Sequence, residues 1–296
     1  MRKILLNILP KALIDLYKKN KKRLRLKQRE SLLNNKQIVT ETDIIDVLHK
    51  TGIIQGDTVM LHSSLSKIGY VENGADTLIN AIMKIISDEG TLMMPAFPAV
   101  GFNYDYLKAN PVFDIKNTPS KMGAVTELFR KRKGVLRSLH PTDSVSAFGK
   151  NAAYLVKDHF NQLTPYNAYS PFYKLCELKG KILMIGVDLN SLTNLHTLED
   201  AVENFKFPVY HDVIFAATLI DETKKKLSMK TKVHDPAYSK RRKCNALMPY
   251  FETAGFLKHF KLGSADCMII QADSMHKWML ENYRTKGITM YTPNGN

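Results

Sequence analysis

Apolar positions along this chain come in two spacings, and their alternation predicts its architecture. Short β-prone runs, Thr58 to His62, Thr91 to Pro95 and Lys181 to Val187, have no polar face and read as strands covered on both sides. Between them, Ile44, Ile45, Val47 and Leu48 recur at helical spacing behind a Thr40 or Thr42 cap and end at Gly52. Leu78, Ile79, Ile82 and Ile85 do the same after Gly74 and Asp76. Strand, helix, strand predicts parallel pairing in a layered fold with ligands near the strand ends.

Farther on, Ser170 with Pro171 opens a helix, and Val209 to Ile220 returns through Leu227 to Val233 as a hairpin. Leu247 to Ala254 is helical, Asp266 to Ala272 is a strand, and Ser274 caps a last helix with Trp278 and Leu280 inside. Residues 96–117 lack periodicity and read as a long loop. The expected fold is therefore α/β: an α/β/α layered domain over residues 38–296, with a central mixed sheet in two subdomains around one pocket. An amphipathic, basic helical extension, residues 1–37, precedes it.

Charge sharpens the picture of that extension. The chain carries +15 over 296 residues, and residues 1–50 hold 13 Lys/Arg against 5 Asp/Glu. With Ile4, Leu5, Leu6, Ile8 and Leu9 ahead of the basic run, residues 1–29 suit an anionic membrane surface. The other reading packs this helix on the protein body or on the partner in a homodimer. No groove-reading motif accompanies the lysines, so no nucleic-acid partner is expected. Met1 to Leu9 imitates a signal peptide, but Pro10 and Lys11 interrupt it, and it is expected to be retained. Cys176, Cys244 and Cys267 are isolated, which fits a reduced, cytoplasmic setting.

The chemistry is narrowed by what is missing. No G-x-x-x-x-G-K-[ST], G-x-G-x-x-G or G-x-S-x-G occurs. The nine histidines are scattered without H-x-H or H-E-x-x-H, so no metal is expected. What remains is three hydroxyl-rich loops with a histidine each: Leu61 to Ser66, Leu139 to Ser146, and Asn190 to Glu199. In the last, His196 and Glu199 stand three residues apart, which on a helix lets the carboxylate orient an imidazole base. His140, held extended before Pro141, is either displayed to a ligand or hydrogen-bonded in the core. Thr118-Pro119-Ser120 ahead of the helix from Lys121 offers free backbone N–H groups for an oxygen ligand.

Taken in order, Gly56-Asp57-Thr58-Val59-Met60-Leu61-His62-Ser63-Ser64-Leu65, Gly90 to Pro95, Met122-Gly123 with Glu127 and Arg130, Arg137 to Ser144, Ser170-Pro171, and Leu183 to Val187 leading into Thr193 to Glu199 form one pattern. It resembles the aminoglycoside 3-N-acetyltransferase family, a group unrelated to GNAT acetyltransferases, over about residues 40–280. The resemblance implies acetyl-CoA-dependent transfer to an amine by direct attack in a ternary complex. His196 would be the general base and Glu199 its orienter, with His140 and Ser144 lining the reaction centre. Ser63, Ser64 and Leu65, with Ser120, Met122 and Gly123, would hold the pantetheine arm and phosphates.

Two departures bear on the acceptor. Tyr166-Asn167-Ala168-Tyr169 stands where the family usually has glycine, and the basic extension has no counterpart in the usual antibiotic-modifying members. A chain at +15 repels a polycationic drug at long range, unless an acidic pocket at Glu199, Asp200 and Glu203 offsets this. The charge thus favours a nucleotide- or lipid-linked amino sugar in cell-surface polysaccharide assembly, with the inner face of the membrane as a peripheral location. An aminoglycoside antibiotic acceptor, and O-acetylation of a sugar, are the alternatives.

Overall fold

A strand with apolar side chains at every position needs cover on both faces, and the computed structural model supplies it. It describes residues 38–296, with Asn20 alone ahead of them, so the extension over residues 1–37 and its membrane or dimer contact lie outside the described residues. In chain order the strands are β1 (Ile38–Val39), β2 (Thr58–Ser63), β3 (Tyr70–Val71), β4 (Thr91–Pro95), β5 (Val112–Asp114) and β6 (Leu136–Arg137). They continue with β7 (Val145–Gly149), β8 (Lys181–Ile185), β9 (Phe215–Ile220), β10 (Lys226–Thr231), β11 (Leu257–Leu262) and β12 (Ala265–Gln271).

Seven of these form the main sheet, in the order β11-β12-β8-β2-β4-β7-β6. Its centre is parallel, β8 beside β2 beside β4, and its flanks are antiparallel. The pleat sends alternate residues to opposite cores. Met60, Met93, Ile182 and Met184 join one, packed by helices Pro171–Glu177, Met248–Thr253 and Ala272–Lys286. Val59, Leu61, Leu92, Met94, Leu183 and Ile185 join the other, under helices Glu41–Lys50, Ala75–Ile86 and Ala124–Arg130. This is the expected layered α/β/α arrangement around a mixed sheet. Each fully buried Leu, Ile or Met there contributes about 1.5 to 3 kcal/mol relative to exposure. The first helix begins with a capping box in which Thr40 Oγ1 accepts from Asp43 N–H at 3.2 Å and Asp43 accepts from Thr40 N–H at 2.8 Å.

Three elements differ from the sequence-based expectation. Residues 96–117 are not an unbroken loop: they hold a helix, Asn103–Lys108, and β5, which pairs parallel to β9 in a second sheet of order β10-β9-β5. Phe113 and Leu107 anchor that sheet's small core, too few apolar residues to set up a period. Strand β11 carries exposed Lys258, His259 and Lys261 on the sheet edge, where charges guard an open strand, and so shows no apolar run. The last helix buries Met275, His276 and Met279, while Trp278 and Leu280 are half-buried, and its N-cap is Gln271 rather than Ser274.

At the C-terminal end of β8 the chain must turn sharply into residues 188–200. Gly186 makes that turn at φ +64°, and a Cβ there would lie 2.6 Å from Lys67 Cβ. Only glycine fits both the left-handed backbone and the close approach. The turn delivers two short 3₁₀ segments, Leu189–Ser191 and Thr193–His196, followed by helix Thr197–Ala201.

Candidate active site

His196 is the last residue of a 3₁₀ turn and Glu199 lies in the first turn of the following helix, so both side chains fall on one side. His196 Nδ1–H donates to Glu199 Oε2 at 2.9 Å. Nothing in the stretch from Thr193 to Glu199 foretells the rest of the cluster. His234 Nε2–H donates to the same Oε2 at 2.6 Å, and Tyr291 Oη–H donates to Oε1 at 2.6 Å. Arg242 Nε in turn donates to Tyr291 Oη at 3.4 Å. The Glu199 side chain is wholly buried and accepts three hydrogen bonds.

Burial alone would raise the Glu199 carboxyl, but the two imidazoles and their hydrogen bonds outweigh it and hold the group well below its ordinary value. His196 moves the other way. Burial, and next the guanidinium of Arg242, lower it against the opposing pull of Glu199. The resting pair is thus a carboxylate beside a neutral imidazole whose Nδ1 carries the proton. That leaves Nε2 as a lone pair, the tautomer a general base requires.

Aromatic rings fix the orientation. Tyr166 lies 4.9 Å from His196 and 5.5 Å from His234, and Tyr210 stacks on His234 at 4.8 Å with planes 10° apart. Tyr166 Oη–H donates to Asp143 at 2.8 Å, and its backbone N–H donates to Asp200 at 2.9 Å. The loop that departs from the family's glycine thus supplies a wall of the site.

The two imidazoles, Tyr166 and Arg242 face a cavity of about 580 Å³ at the C-terminal ends of β2, β4 and β8. Ser63, Met122, Asp143, Tyr166, His196, His234 and Arg242 line it. A wider cleft of about 770 Å³, lined by Ser64, Lys67, Gly186 and Met268, adjoins it and shares Val187 and Ser191. Buried against the first cavity with no partner among the described residues are His62 Nε2, Ser63 Oγ and one Arg242 terminal nitrogen. Burial brings His62 down to about 4, so it stays neutral. Unpaired polar atoms in a cavity wall suit a ligand that brings its own acceptors and donors. His196, Glu199 and His234 present donor atoms within 4.8 Å of one another, the spacing at which a metal ion can be held. Here both ring nitrogens that face the carboxylate are engaged in hydrogen bonds to it.

Several expected site residues sit elsewhere. His140 and Ser144 are fully buried and do not line the cavity. His140 Nδ1 accepts from Asp143 N–H at 3.1 Å, and its ring stacks on His159 at 4.5 Å. Ser144 Oγ donates to Ala96 O at 2.9 Å and accepts from Arg137 Nε at 3.1 Å. Arg137 also binds Thr118 O and Ala96 O, so the whole 137–146 motif braces β4 and its following loop. Leu65 packs against the second core instead of facing either space. Ser120 is buried with its N–H given to Glu127 at 2.7 Å, and Met122 N–H donates to Ser120 Oγ at 3.3 Å. The N–H groups of Ser120, Lys121 and Met122 are spent on Glu127, Phe97 O and Ser120 Oγ, while Met122 lines the cavity and Gly123, at φ +119°, starts the helix. Of the three acidic residues expected to form a pocket, Glu199 and Asp200 are tied up inside and Glu203 is exposed away from the cavity. His234, Arg242 and Tyr291 were missed because they reach Glu199 from distant positions with no shared period. The one local hint was His234 directly before Asp235-Pro236.

A buried carboxylate thus holds an imidazole at a strand-end cavity, an arrangement chemically able to accept a proton from a bound group. The sequence model described as Aminoglycoside 3-N-acetyltransferase matches residues 60–283. Aminoglycoside N(3)-acetyltransferase VII of Streptomyces paromomycinus is 33% identical over 178 residues, covering 54% of this chain and 60% of that relative. The SPbeta prophage-derived aminoglycoside N(3')-acetyltransferase-like protein YokD of Bacillus subtilis (strain 168) is 28% identical over 263 residues, covering 82% and 93%. The solved binary complex of AAC-IIIb with CoASH shares the fold, with a TM-score of 0.69 at 23% identity over 83% of this chain and 97% of that one. The chain belongs to the aminoglycoside 3-N-acetyltransferase family and is an acetyltransferase. These likenesses lend no support to a role in polysaccharide assembly. Among the described residues no helix is long and apolar enough to cross a membrane.

Proposed function

We propose that this enzyme transfers the acetyl group of acetyl-CoA to an amine of an aminoglycoside-type amino sugar, by direct attack with His196 as general base. The observation that carries the reading is the Nδ1–H hydrogen bond of His196 to buried Glu199, which turns the lone pair of Nε2 to the cavity. An amine arrives as an ammonium and is not a nucleophile until it loses a proton. His196 takes that proton, and Glu199 stabilises the imidazolium that results. The enclosing Tyr166 and Tyr210 rings keep water from the ion pair. Ser63 at the cavity wall and Ser64 in the adjoining cleft would hold the thioester arm, and a solved relative by fold, AAC-IIIb, binds CoASH. A cytoplasmic location goes with this use of acetyl-CoA.

One observation favours a second acceptor class. The cavity wall carries Lys121 and Arg242 against Asp143 as its one carboxylate among the described residues, poor complementarity for a drug bearing several ammonium groups. A nucleotide- or lipid-linked amino sugar fits that wall better. Mass spectrometry after incubation with acetyl-CoA and a panel of aminoglycosides, nucleotide amino sugars and neutral sugars decides. Acetylated aminoglycoside as the dominant product is expected. No acetylated amine from any acceptor, or equal product from His196→Ala, would remove the proposed mechanism.

A further inference from the structure

We propose that His234 is a second base of this site, taking the proton that the attacking nitrogen still carries once the C–N bond has formed. The proposal rests on the amine-acetylation reading above and concerns a residue outside the motifs that define the family resemblance.

His234 lies beyond the hairpin of β9 and β10, where its backbone bridges to Tyr210. Its side chain is 10% exposed, close to the 12% of His196, and both rings line the same cavity with centroids 4.4 Å apart. The decisive feature is the shared acceptor. Both imidazoles give an N–H to Glu199 Oε2, His196 from Nδ1 and His234 from Nε2. A neutral imidazole has one N–H, so this bond leaves His234 Nδ1 as a lone pair, with no hydrogen-bond partner among the described residues. One carboxylate therefore sets two bases in opposite tautomers.

The reaction has use for both. His196 Nε2 takes a proton from the ammonium, and the freed nitrogen pair forms the C–N bond as the carbonyl π pair moves to oxygen. The adduct nitrogen is then cationic and holds two hydrogens, while His196, now an imidazolium, can accept no more. His234 Nδ1 takes one of these hydrogens. The oxygen pair restores C=O, the C–S bond breaks with its pair on sulfur, and His196 returns its proton to the thiolate. The products are the amide, the thiol and one proton on His234, which passes to water.

His234→Gln keeps an N–H for Glu199 but has no base. It should lower kcat about 100-fold with KM for acetyl-CoA unchanged within about twofold. His234→Gly should regain at least about tenfold of the lost kcat on adding imidazole, more with more basic imidazoles. A glutamine variant with wild-type kcat overturns the proposal, as does rescue by pyrrole equal to that by imidazole. Should the glycine variant not fold, ¹⁵N NMR of the wild-type protein supplies the independent readout. An Nε2–H tautomer at His234 is expected, and an Nδ1–H tautomer refutes it. Wild-type protein that acetylates no amine defeats the function reading instead, and the tautomer measurement still tests the arrangement of the two rings.

Discussion

Two pairs of histidines meet ring to ring in this protein, His196 with His234 at 4.4 Å and His140 with His159 at 4.5 Å. Their surroundings separate them. The first pair shares a carboxylate and opens on a cavity; the second has no acidic partner among the described residues and is fully buried. His159 spends both nitrogens, Nδ1 accepting from Ser138 Oγ–H at 2.9 Å and Nε2–H donating to Pro165 O at 3.0 Å. Desolvation takes His159 down to about 3 and holds His140 well below the usual value. A histidine becomes a base when a buried anion sets its tautomer and leaves the other nitrogen facing a reactant. Proximity of two rings is not enough.

The largest expected effect tests that distinction directly. His196→Ala should reduce kcat/KM by about 10² to 10⁴, whereas His140→Asn, once shown folded by circular dichroism, should stay within about threefold of wild type. Equal losses in a thiol-release assay would erase the comparison. The buried pair should show itself in stability instead. Its folded-state values are depressed, so the unfolded chain binds protons that the native one refuses. Stability is then full above the unfolded value near 6.5 and falls as pH drops from there toward about 3. Thermal melts between pH 7 and 5 should show Tm decreasing with acid, and His159→Gln should flatten that slope.

Tyr291→Phe removes one of three donors from a buried carboxylate and should cost about 1.5 to 3 kcal/mol, read as a shift in urea midpoint at constant m. The smallest effect belongs to Arg242→Gln. Loss of a nearby cation raises His196, so the acid limb of the kcat/KM profile should move to higher pH. An unmoved limb would mean that Arg242 does not act on the base.

Sequence carried the layered core because its strands are apolar at every position and its helices keep one period, so Met60 and Val59 could both be placed without knowing which face each would take. It failed at β11, whose exposed lysines mask the edge strand, and at Phe113, whose partners come from β9. The site divided the same way. His196 and Glu199 are three residues apart and readable as a pair; His234 and Tyr291 lie 35 and 92 residues from Glu199. The Arg137 to Ser144 motif was legible as a motif but not as a brace, because side-chain bonds to Ala96 and Thr118 carbonyls leave no trace in local pattern.

Tyr291 also belongs to a small knot. Thr289 and Thr292 bond to each other, Thr292 binds Gly287 O, and Asn296 N–H returns to Lys286 O. Ile288, Met290 and Tyr291 belong to the core on one face of the main sheet, so undocking of residues 287–296 would uncover part of that core as well as strip Glu199 of a donor. Acetyl transfer should therefore depend on this segment being docked. Amide exchange at 288–292 and loss of acetyl transfer under mild denaturant should follow the same curve.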